Sequence, residues 1–271
     1  MDLKILYEDN DVLVIDKPAG IIVFSEEKNS DESQETVIAL LLEKYPDLKN
    51  VGAFPRYGIV HRLDKDTSGL LLVAKTAEGL IFLQKQFSAH TFSSIKDFKG
   101  RESWDETSPA LLERGGKNSP TLEKKLEKKY ITLVCGNVKE DRGIIHTLIG
   151  RANSDPRKQA AHSLEYKGKT GLREAITDYK VLEKFADYTL LEVGIKTGRK
   201  HQIRCHLAYI HHPIAGDKMY GFKDSPKPEG LERQFLHASY LKIKLPSGTT
   251  KEFTSELPIE LKNILINLGA K

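Results

Sequence analysis

The sequence has few of the residues on which secreted, disulfide-stabilised and membrane proteins depend. Only two cysteines, Cys135 and Cys205, occur among 271 residues, so no disulfide framework is expected. No apolar run approaches the roughly 18 residues of a membrane-spanning helix, and the N-terminus has no basic stretch followed by an apolar segment. These absences predict a cytoplasmic protein without a membrane anchor. A hydrophobic content of 39% is sufficient for a folded core.

Acidic residues outnumber basic residues at the start of the chain, and basic residues outnumber acidic ones in the remainder. Residues 1–60 contain 6 Lys and Arg against 12 Asp and Glu, whereas residues 61–271 contain 36 against 26. The first segment therefore carries a net charge of −6 and the remainder +10. This asymmetry favours a basic surface that binds a polyanion, although a role in solubility alone would also explain it.

Short apolar runs bounded by turn residues alternate with patterns typical of helices. Strands are predicted at residues 3–7, 12–15, 70–74, 130–134, 144–147, 176–181 and 189–193. Helices are predicted at 35–45 and 77–87, and a third at 200–209 would carry a stripe of apolar residues. Residues 90–122 have Ser and Gly clusters without sustained periodicity, which indicates an irregular surface loop.

The segment HRLDKDTSG at residues 61–69 is the most informative part of the chain. It places Asp64 in a tight polar turn immediately before a predicted buried strand. A fold can present a single carboxylate to a substrate in this way. Asp and Ser are also frequent in ordinary turns, because their side chains bond the local backbone, so the turn alone leaves both interpretations open.

This segment resembles the signature of the RluA family of pseudouridine synthases. Three further stretches match that family in order: KYITLVCG at 129–136, TGRKHQIRCHL at 197–207, and HPIAGD at 212–217 leading to FLHA at 235–238. The opening, from ILYED at 5–9 to KPAG at 17–20, resembles the start of the family's catalytic domain. The resemblance covers nearly the whole chain. It implies an α+β fold with a mixed, largely antiparallel sheet, flanking helices and a central basic cleft.

The resemblance also predicts the domain organisation. Residues 1–271 are expected to form a single catalytic domain, with an insertion at about 90–122 where the family has a much shorter link. No separate N-terminal RNA-binding module is expected, because the start of the catalytic domain falls at residue 3. The predicted protein is a monomer that isomerises specific uridines in rRNA or tRNA.

Conversion of uridine to pseudouridine breaks the bond between N1 and C1′ and rejoins the base through C5. Nothing is oxidised, so no cofactor and no metal are expected. A carboxylate is needed either to attack C1′ or to remove the C2′ proton, and the resemblance assigns this role to Asp64. Arg204 is expected to hold the Asp64 carboxylate bidentately and keep it ionised. The alternative is a surface Arg204 that binds an RNA phosphate.

Other positions are predicted to receive a uridine that has been flipped out of its stack. The resemblance implies that the Tyr130 ring stacks on the uracil, that Leu236 packs on its other side, and that Arg62 fills the gap in the RNA. Alternatively, Arg62 forms a salt bridge with Asp66. The further residues predicted to bind RNA are His61, Arg199, Lys200 and His201.

Two alternatives to this interpretation are a zinc site and a non-catalytic protein on the same fold. His201 and Cys205 have a spacing that can ligate zinc, but the chain has no Cys-x-x-Cys knuckle, so no metal site is expected. A non-catalytic RNA-binding or ribosome-assembly protein on the same fold is the second. The combination of Asp64, Tyr130 and Arg204 favours an enzyme, because binding RNA does not require an acid that faces a negatively charged ligand.

Overall fold

The computed structural model describes residues 2–25, 35–99 and 126–269. In that part of the chain, ten strands run as β1 Lys4–Glu8, β2 Val12–Lys17, β3 Ser68–Ala74, β4 Leu126–Cys135, β5 Arg142–Arg151, β6 Gln159–His162, β7 Arg173–Lys184, β8 Tyr188–Ile195, β9 Leu236–Lys244 and β10 Thr250–Thr254. The α-helices are α1 Val37–Lys44, α2 Ala77–Lys99, α3 Gln202–Tyr209 and α4 Ile259–Asn267.

All ten strands belong to one sheet in the order β1-β2-β3-β9-β4-β8-β7-β5-β6, with β10 paired to β9. Among the described strands, only β3 and β9 pair in parallel, and every other pair is antiparallel. The predicted mixed, largely antiparallel α+β fold is confirmed. All seven residues of β3 are buried, as expected for an apolar run in the middle of a sheet.

Glycine permits the close approach of β3 and β9. Gly69 has a φ of +111°, and a Cβ at this position would overlap the carbonyl oxygen of Ala238 on β9. The parallel pairing joins Ser68 to His237 and Gly69 to Ala238. The turn that contains Asp64 is therefore fixed against β9 at the point where β3 begins.

A buried lysine at the end of β2 also holds this turn in place. The Lys17 side chain is fully buried, and its Nζ donates hydrogen bonds to the carbonyl oxygens of Pro18 at 2.7 Å, Ile21 at 2.8 Å and Lys65 at 3.0 Å. An ammonium has three protons, and all three have an acceptor here. Because the Lys65 carbonyl belongs to the turn, Lys17 ties the Asp64 turn to the end of β2.

Side chains that precede β9 hold the turn from the other direction. Arg233 Nη1 donates to the carbonyl oxygen of Asp66 at 3.0 Å, and Gln234 Nε2 donates to Thr67 Oγ1 at 3.1 Å. Within the turn, the backbone N–H of Thr67 donates to the carbonyl of Asp64 at 3.1 Å. The backbone around Asp64 is thus fixed by hydrogen bonds from several parts of the chain.

The predicted strands correspond to β1, β2, β3, β4, β5, β7 and β8, and the predicted helices to α1, α2 and α3. No strand was predicted at β6, β9 or β10, and no helix at α4. The boundary of the predicted loop at 90–122 is wrong at its start, because α2 continues through Lys99. Serine lowers helix stability only slightly relative to alanine, so Ser93 and Ser94 do not end an established helix. Residues 100–122 lie outside the described residues.

Replacement of Lys17 by methionine tests the support of the turn. Lys17→Met should lower the free energy of unfolding by about 2 kcal/mol, because three buried carbonyl oxygens lose their donor. Lys4→Met is the control, since Lys4 is exposed and lies 3.9 Å from Asp16; it should change stability by less than about 0.5 kcal/mol. Urea unfolding measures both. Equal stability of the two variants would contradict the supporting role of Lys17.

Candidate active site

A cavity of about 530 Å³ lies between the Asp64 turn, β4 and the segment that leads into α3. Its lining includes residues from each of the sequence motifs at 61–69, 129–136 and 197–207, together with the first residue of β9. The structure brings together all nine residues that were predicted to form the site, namely His61, Arg62, Asp64, Tyr130, Arg199, Lys200, His201, Arg204 and Leu236.

Arg204 connects two carboxylates. Its Nη1 donates a hydrogen bond to Asp64 Oδ2 at 3.1 Å, whereas its Nε and Nη2 donate to the two oxygens of Asp217 at 2.7 and 2.9 Å. The expectation that the guanidinium fork holds Asp64 bidentately is wrong, because Asp217 is its bidentate partner. Arg204 is 7% exposed, so its burial argues against a surface arginine that binds phosphate.

Asp217 takes the fork because its side chain is completely buried and needs a cation. Its Oδ1 also accepts hydrogen bonds from the backbone N–H groups of Met219 and Tyr220. Burial alone would raise the pKa of Asp217, but the hydrogen bonds and charge of Arg204 and the two N–H groups lower it. Burial likewise disfavours the charged form of Arg204, but Asp217 and Asp64 outweigh this effect and raise its pKa.

The other oxygen of Asp64 faces a histidine. His201 immediately precedes α3 with a φ of +53°, and its Nε2 lies 3.8 Å from Asp64 Oδ1. Its Nδ1 lies 3.0 Å from Tyr220 Oη, which accepts a hydrogen bond from the backbone N–H of Gln159 at 2.7 Å. Among the described residues, His201 Nδ1 is the one acceptor within reach of the Tyr220 hydroxyl proton. Tyr220 therefore donates to Nδ1, and Nε2 carries the remaining proton of a neutral imidazole.

The electrostatics agree with a neutral His201. Burial lowers the pKa of His201, and the opposing effect of the Asp64 charge does not overcome it. Burial also raises the pKa of Tyr220, so its hydroxyl keeps its proton at neutral pH. The sequence motif contained His201 but gave no sign of this contact, because Tyr220 and Gln159 approach it only in the folded chain.

An aromatic and an aliphatic side chain line the cavity from neighbouring strands. Tyr130 on β4 is 7% exposed and Leu236 on β9 is 3% exposed. Burial, with a further contribution from the Asp64 charge, raises the pKa of Tyr130. The phenol is therefore protonated at neutral pH, and the Tyr130 side chain offers a ring face rather than a base.

Two arginines cover one aromatic ring at the exposed side of the cavity. The guanidinium carbons of Arg62 and Arg56 lie 5.0 and 5.1 Å from the centroid of the buried Phe24 ring. Cation–π contact at this distance stabilises a guanidinium without consuming its hydrogen-bond donors. Both side chains line the cavity, so they contribute positive charge to it.

His61 forms part of the cavity wall. Its Nε2 accepts a hydrogen bond from the backbone N–H of Leu72 at 3.1 Å, and its ring stacks on Phe87 with centroids 5.2 Å apart. Burial and the neighbouring Lys128 ammonium lower the pKa of His61 to about 3. The imidazole is neutral, with its proton on Nδ1, so it can offer RNA one donor but no positive charge.

The segment before α3 is held by Gln202. The Gln202 Oε1 accepts hydrogen bonds from Thr197 Oγ1 at 2.7 Å and from the backbone N–H of Arg199 at 3.0 Å. Arg199 Nε donates to the carbonyl oxygen of Glu174 at 3.0 Å, which anchors a side chain that lines the cavity. Lys200 is exposed. The loop therefore presents cations to the cavity from a fixed backbone.

Two absences hold for residues 2–25, 35–99 and 126–269. In these ranges, no group of three or more His, Cys, Asp or Glu side chains is arranged to hold a metal ion. No helix there is long and apolar enough to cross a membrane.

Comparison with known proteins relates this geometry to a family. The family model described as RNA pseudouridylate synthase matches residues 11–95 and 118–209. The chain is 37% identical over 270 residues to Ribosomal large subunit pseudouridine synthase D of Nitrosomonas europaea, covering 97% of this chain and 64% of that protein. It is 35% identical over 270 residues to an uncharacterized RNA pseudouridine synthase of Aquifex aeolicus, covering 97% of this chain and 72% of that protein.

Solved structures have a similar fold. Human RNA Pseudouridylate Synthase Domain Containing 4 superposes with a TM-score of 0.69 at 21% identity, covering 98% of this chain and 92% of that one. Human RNA Pseudouridylate Synthase Domain Containing 1 gives a TM-score of 0.62 at 23% identity, covering 95% and 84%. The family match, the identities and the shared fold agree with the resemblance carried by the signature at residues 61–69. The chain belongs to the RluA family of RNA pseudouridine synthases, which are isomerases.

Proposed function

We propose that this protein converts uridine to pseudouridine in ribosomal RNA and that Asp64 acts on the ribose. The observation that carries the proposal is the position of Asp64 in the cavity, with one oxygen bonded to the buried Arg204. The name of the relative from Nitrosomonas europaea supports large-subunit RNA as the substrate. All nine proposed site residues line one cavity of a single chain, so a monomer is sufficient for the proposed reaction.

The two oxygens of Asp64 have different surroundings, which supports different roles. Oδ2 accepts a hydrogen bond from Arg204 Nη1 at 3.1 Å, whereas Oδ1 lies 3.8 Å from His201 Nε2, beyond hydrogen-bond distance. Oδ1 is therefore the oxygen free to attack C1′ or to remove the C2′ proton. His201, with its proton on Nε2, is a second donor that can bond Oδ1 once the substrate is bound.

The remaining lining suits a flipped nucleotide. Extrusion of a uridine costs a few kcal/mol of lost stacking and pairing. The Tyr130 ring and the Leu236 side chain offer apolar contact to the two faces of the uracil, and Arg62 can occupy the vacated position in the RNA. Because the phenol of Tyr130 stays protonated, stacking is its proposed role. Arg199 and Lys200 then bind phosphates, and His61 offers a neutral hydrogen-bond donor.

A non-catalytic RNA-binding protein is the competing function. A carboxylate at an RNA-binding surface repels phosphates and therefore weakens binding. A second, fully buried carboxylate that holds the same arginine does not contribute to RNA binding either. The pairing of Asp64 with Arg204 and Asp217 therefore favours catalysis.

Substitution of Asp64 tests the proposed chemistry. Asp64→Asn should abolish tritium release from ribosomal RNA labelled at uracil C5, because the amide can neither attack nor accept a proton. RNA affinity should stay within a few-fold of wild type. Asp66→Asn in the same turn is the matched control and should retain activity. Mapping of pseudouridines in cells with and without the gene identifies the uridine. Tritium release by Asp64→Asn at the wild-type rate would remove Asp64 from the mechanism.

Removal of the Tyr220 hydroxyl tests the orientation of His201. Tyr220→Phe should raise the pKa of His201, because the hydrogen bond that Tyr220 donates to Nδ1 stabilises the neutral ring. The single-turnover rate should fall roughly tenfold, since Nε2 is no longer held as the donor toward Asp64. NMR titration of the His201 Cε1 resonance and rapid-quench kinetics measure the two effects. Tyr209→Phe at an exposed position is the control; an unchanged His201 pKa in Tyr220→Phe would contradict the assigned hydrogen bond.

A further inference from the structure

Lys128 is a buried cation that the proposed chemistry does not use. It lies on β4 and is 8% exposed, and its side chain lines the same cavity as Asp64. Its Nζ lies 4.9 Å from the centroid of the Phe87 ring. Within the described residues, no hydrogen-bond acceptor and no carboxylate pairs with this ammonium. Lys17, which is also deeply buried, has three carbonyl acceptors instead.

Burial removes much of the hydration of the Lys128 side chain, and the contact with Phe87 supplies no hydrogen-bond acceptor in exchange, so this lysine is expected to lower the stability of the fold. The same strand could hold a methionine or leucine here without that cost. Burial lowers the pKa of Lys128 to about 8, so the group is still largely charged at neutral pH. A cation retained under these conditions at the wall of a cavity indicates that a ligand supplies its anion.

The space beside Lys128 Nζ is open and borders the segment that leads into α3. A Cβ built on Gly198 would stand 3.9 Å from Lys128 Nζ, and Gly198 is itself exposed. Gly198 and Lys200 line the cavity in the segment that leads into α3. Lys128 and Lys200 therefore both contribute positive charge to this cavity.

The spacing along β4 relates this position to a bound nucleotide. Lys128 and Tyr130 are buried on the same face of β4. Glu127 and Lys129, which alternate with them along the strand, are more exposed. Two residues along a strand span about 7 Å. A nucleotide whose base stacks on Tyr130 would thus bring its sugar–phosphate within reach of Lys128.

We propose that Lys128, Gly198 and Lys200 form a phosphate subsite, which binds a phosphate of the nucleotide that enters the cavity. The inference rests on the proposed function, since it takes Tyr130 as the stacking surface for the base. It adds a residue outside the Asp64 constellation that recognises the backbone of the extruded nucleotide. Arg204 and His201 remain dedicated to Asp64.

The test measures binding without measuring isomerisation. Protein with ¹³Cε-labelled lysine is titrated with uridine, uridine 5′-monophosphate and uridine 3′-monophosphate, and the Lys128 resonance is assigned by its loss in Lys128→Met. At least one monophosphate should shift the Lys128 resonance and raise its pKa above about 8, because a phosphate stabilises the ammonium. Uridine should do neither. The monophosphate with the larger effect identifies which phosphate occupies the subsite.

Affinities in two variants complete the test. Wild type should bind that monophosphate roughly tenfold more tightly than uridine, the effect of one charge-assisted hydrogen bond, and Lys128→Met should abolish the preference. Lys129→Met is the matched control on the same strand; Lys129 pairs with Glu192, and its loss should leave the preference intact. The proposal is overturned if wild type shows no preference, if Lys128→Met retains it, or if Lys128→Met weakens uridine and monophosphate equally.

Stability separates a binding role from a structural one. Lys128→Met should melt at or above the temperature of wild type without nucleotide, because an unpaired buried charge has been removed. A lower melting temperature than that of Lys129→Met would indicate a structural lysine and overturn the proposal. A negative result in these binding and melting experiments would contradict the phosphate subsite but not the isomerase function. A protein that binds the monophosphate as expected but does not isomerise uridine would contradict only the proposed function.

Discussion

A single buried guanidinium that is shared by two carboxylates determines the arrangement of the candidate active site. Arg204 donates hydrogen bonds from Nε and Nη2 to the two oxygens of Asp217 and a third hydrogen bond, from Nη1, to Asp64. Because Asp217 fixes the plane of the guanidinium, the direction of the bond to Asp64 is also fixed. One oxygen of Asp64 is thereby occupied, and the other is left toward the cavity and His201. The orientation of Asp64 therefore depends on the contact with Arg204.

The backbone beneath Asp64 is fixed just as firmly. Lys17 and Arg233 donate hydrogen bonds to carbonyl oxygens of the turn, and Arg233 also forms an ion pair with Glu260. The turn is therefore held by hydrogen bonds from both ends of the chain, where β3 and β9 run parallel. Lys128 differs from these two cations because it lacks such acceptors among the described residues.

Strands and site residues that follow a local sequence pattern could be predicted from the sequence. The apolar run at 70–74 predicted β3, and the signature at 61–69 predicted the family and the residue proposed for catalysis. β9 was missed because Leu236–Lys244 mixes buried and half-exposed positions and contains Ser239 and two lysines, which obscure its alternation. Asp217 stood within a recognised motif, but spacing cannot reveal which of two carboxylates an arginine fork will hold. That choice depends on burial: Asp217 is enclosed and Asp64 is not.

We infer that Asp217 positions Asp64 for the reaction through Arg204. A double-mutant cycle of Arg204→Lys and Asp217→Asn, with single-turnover rates at saturating RNA, tests it most directly. The single-turnover rate of each single variant should fall roughly a hundredfold, because each substitution changes the orientation of the Asp64 carboxylate. The double variant should be no slower than the slower single variant, because the second substitution disrupts a contact that is already lost. Rate losses that multiply in the double variant would show that the two residues act independently and would contradict the account.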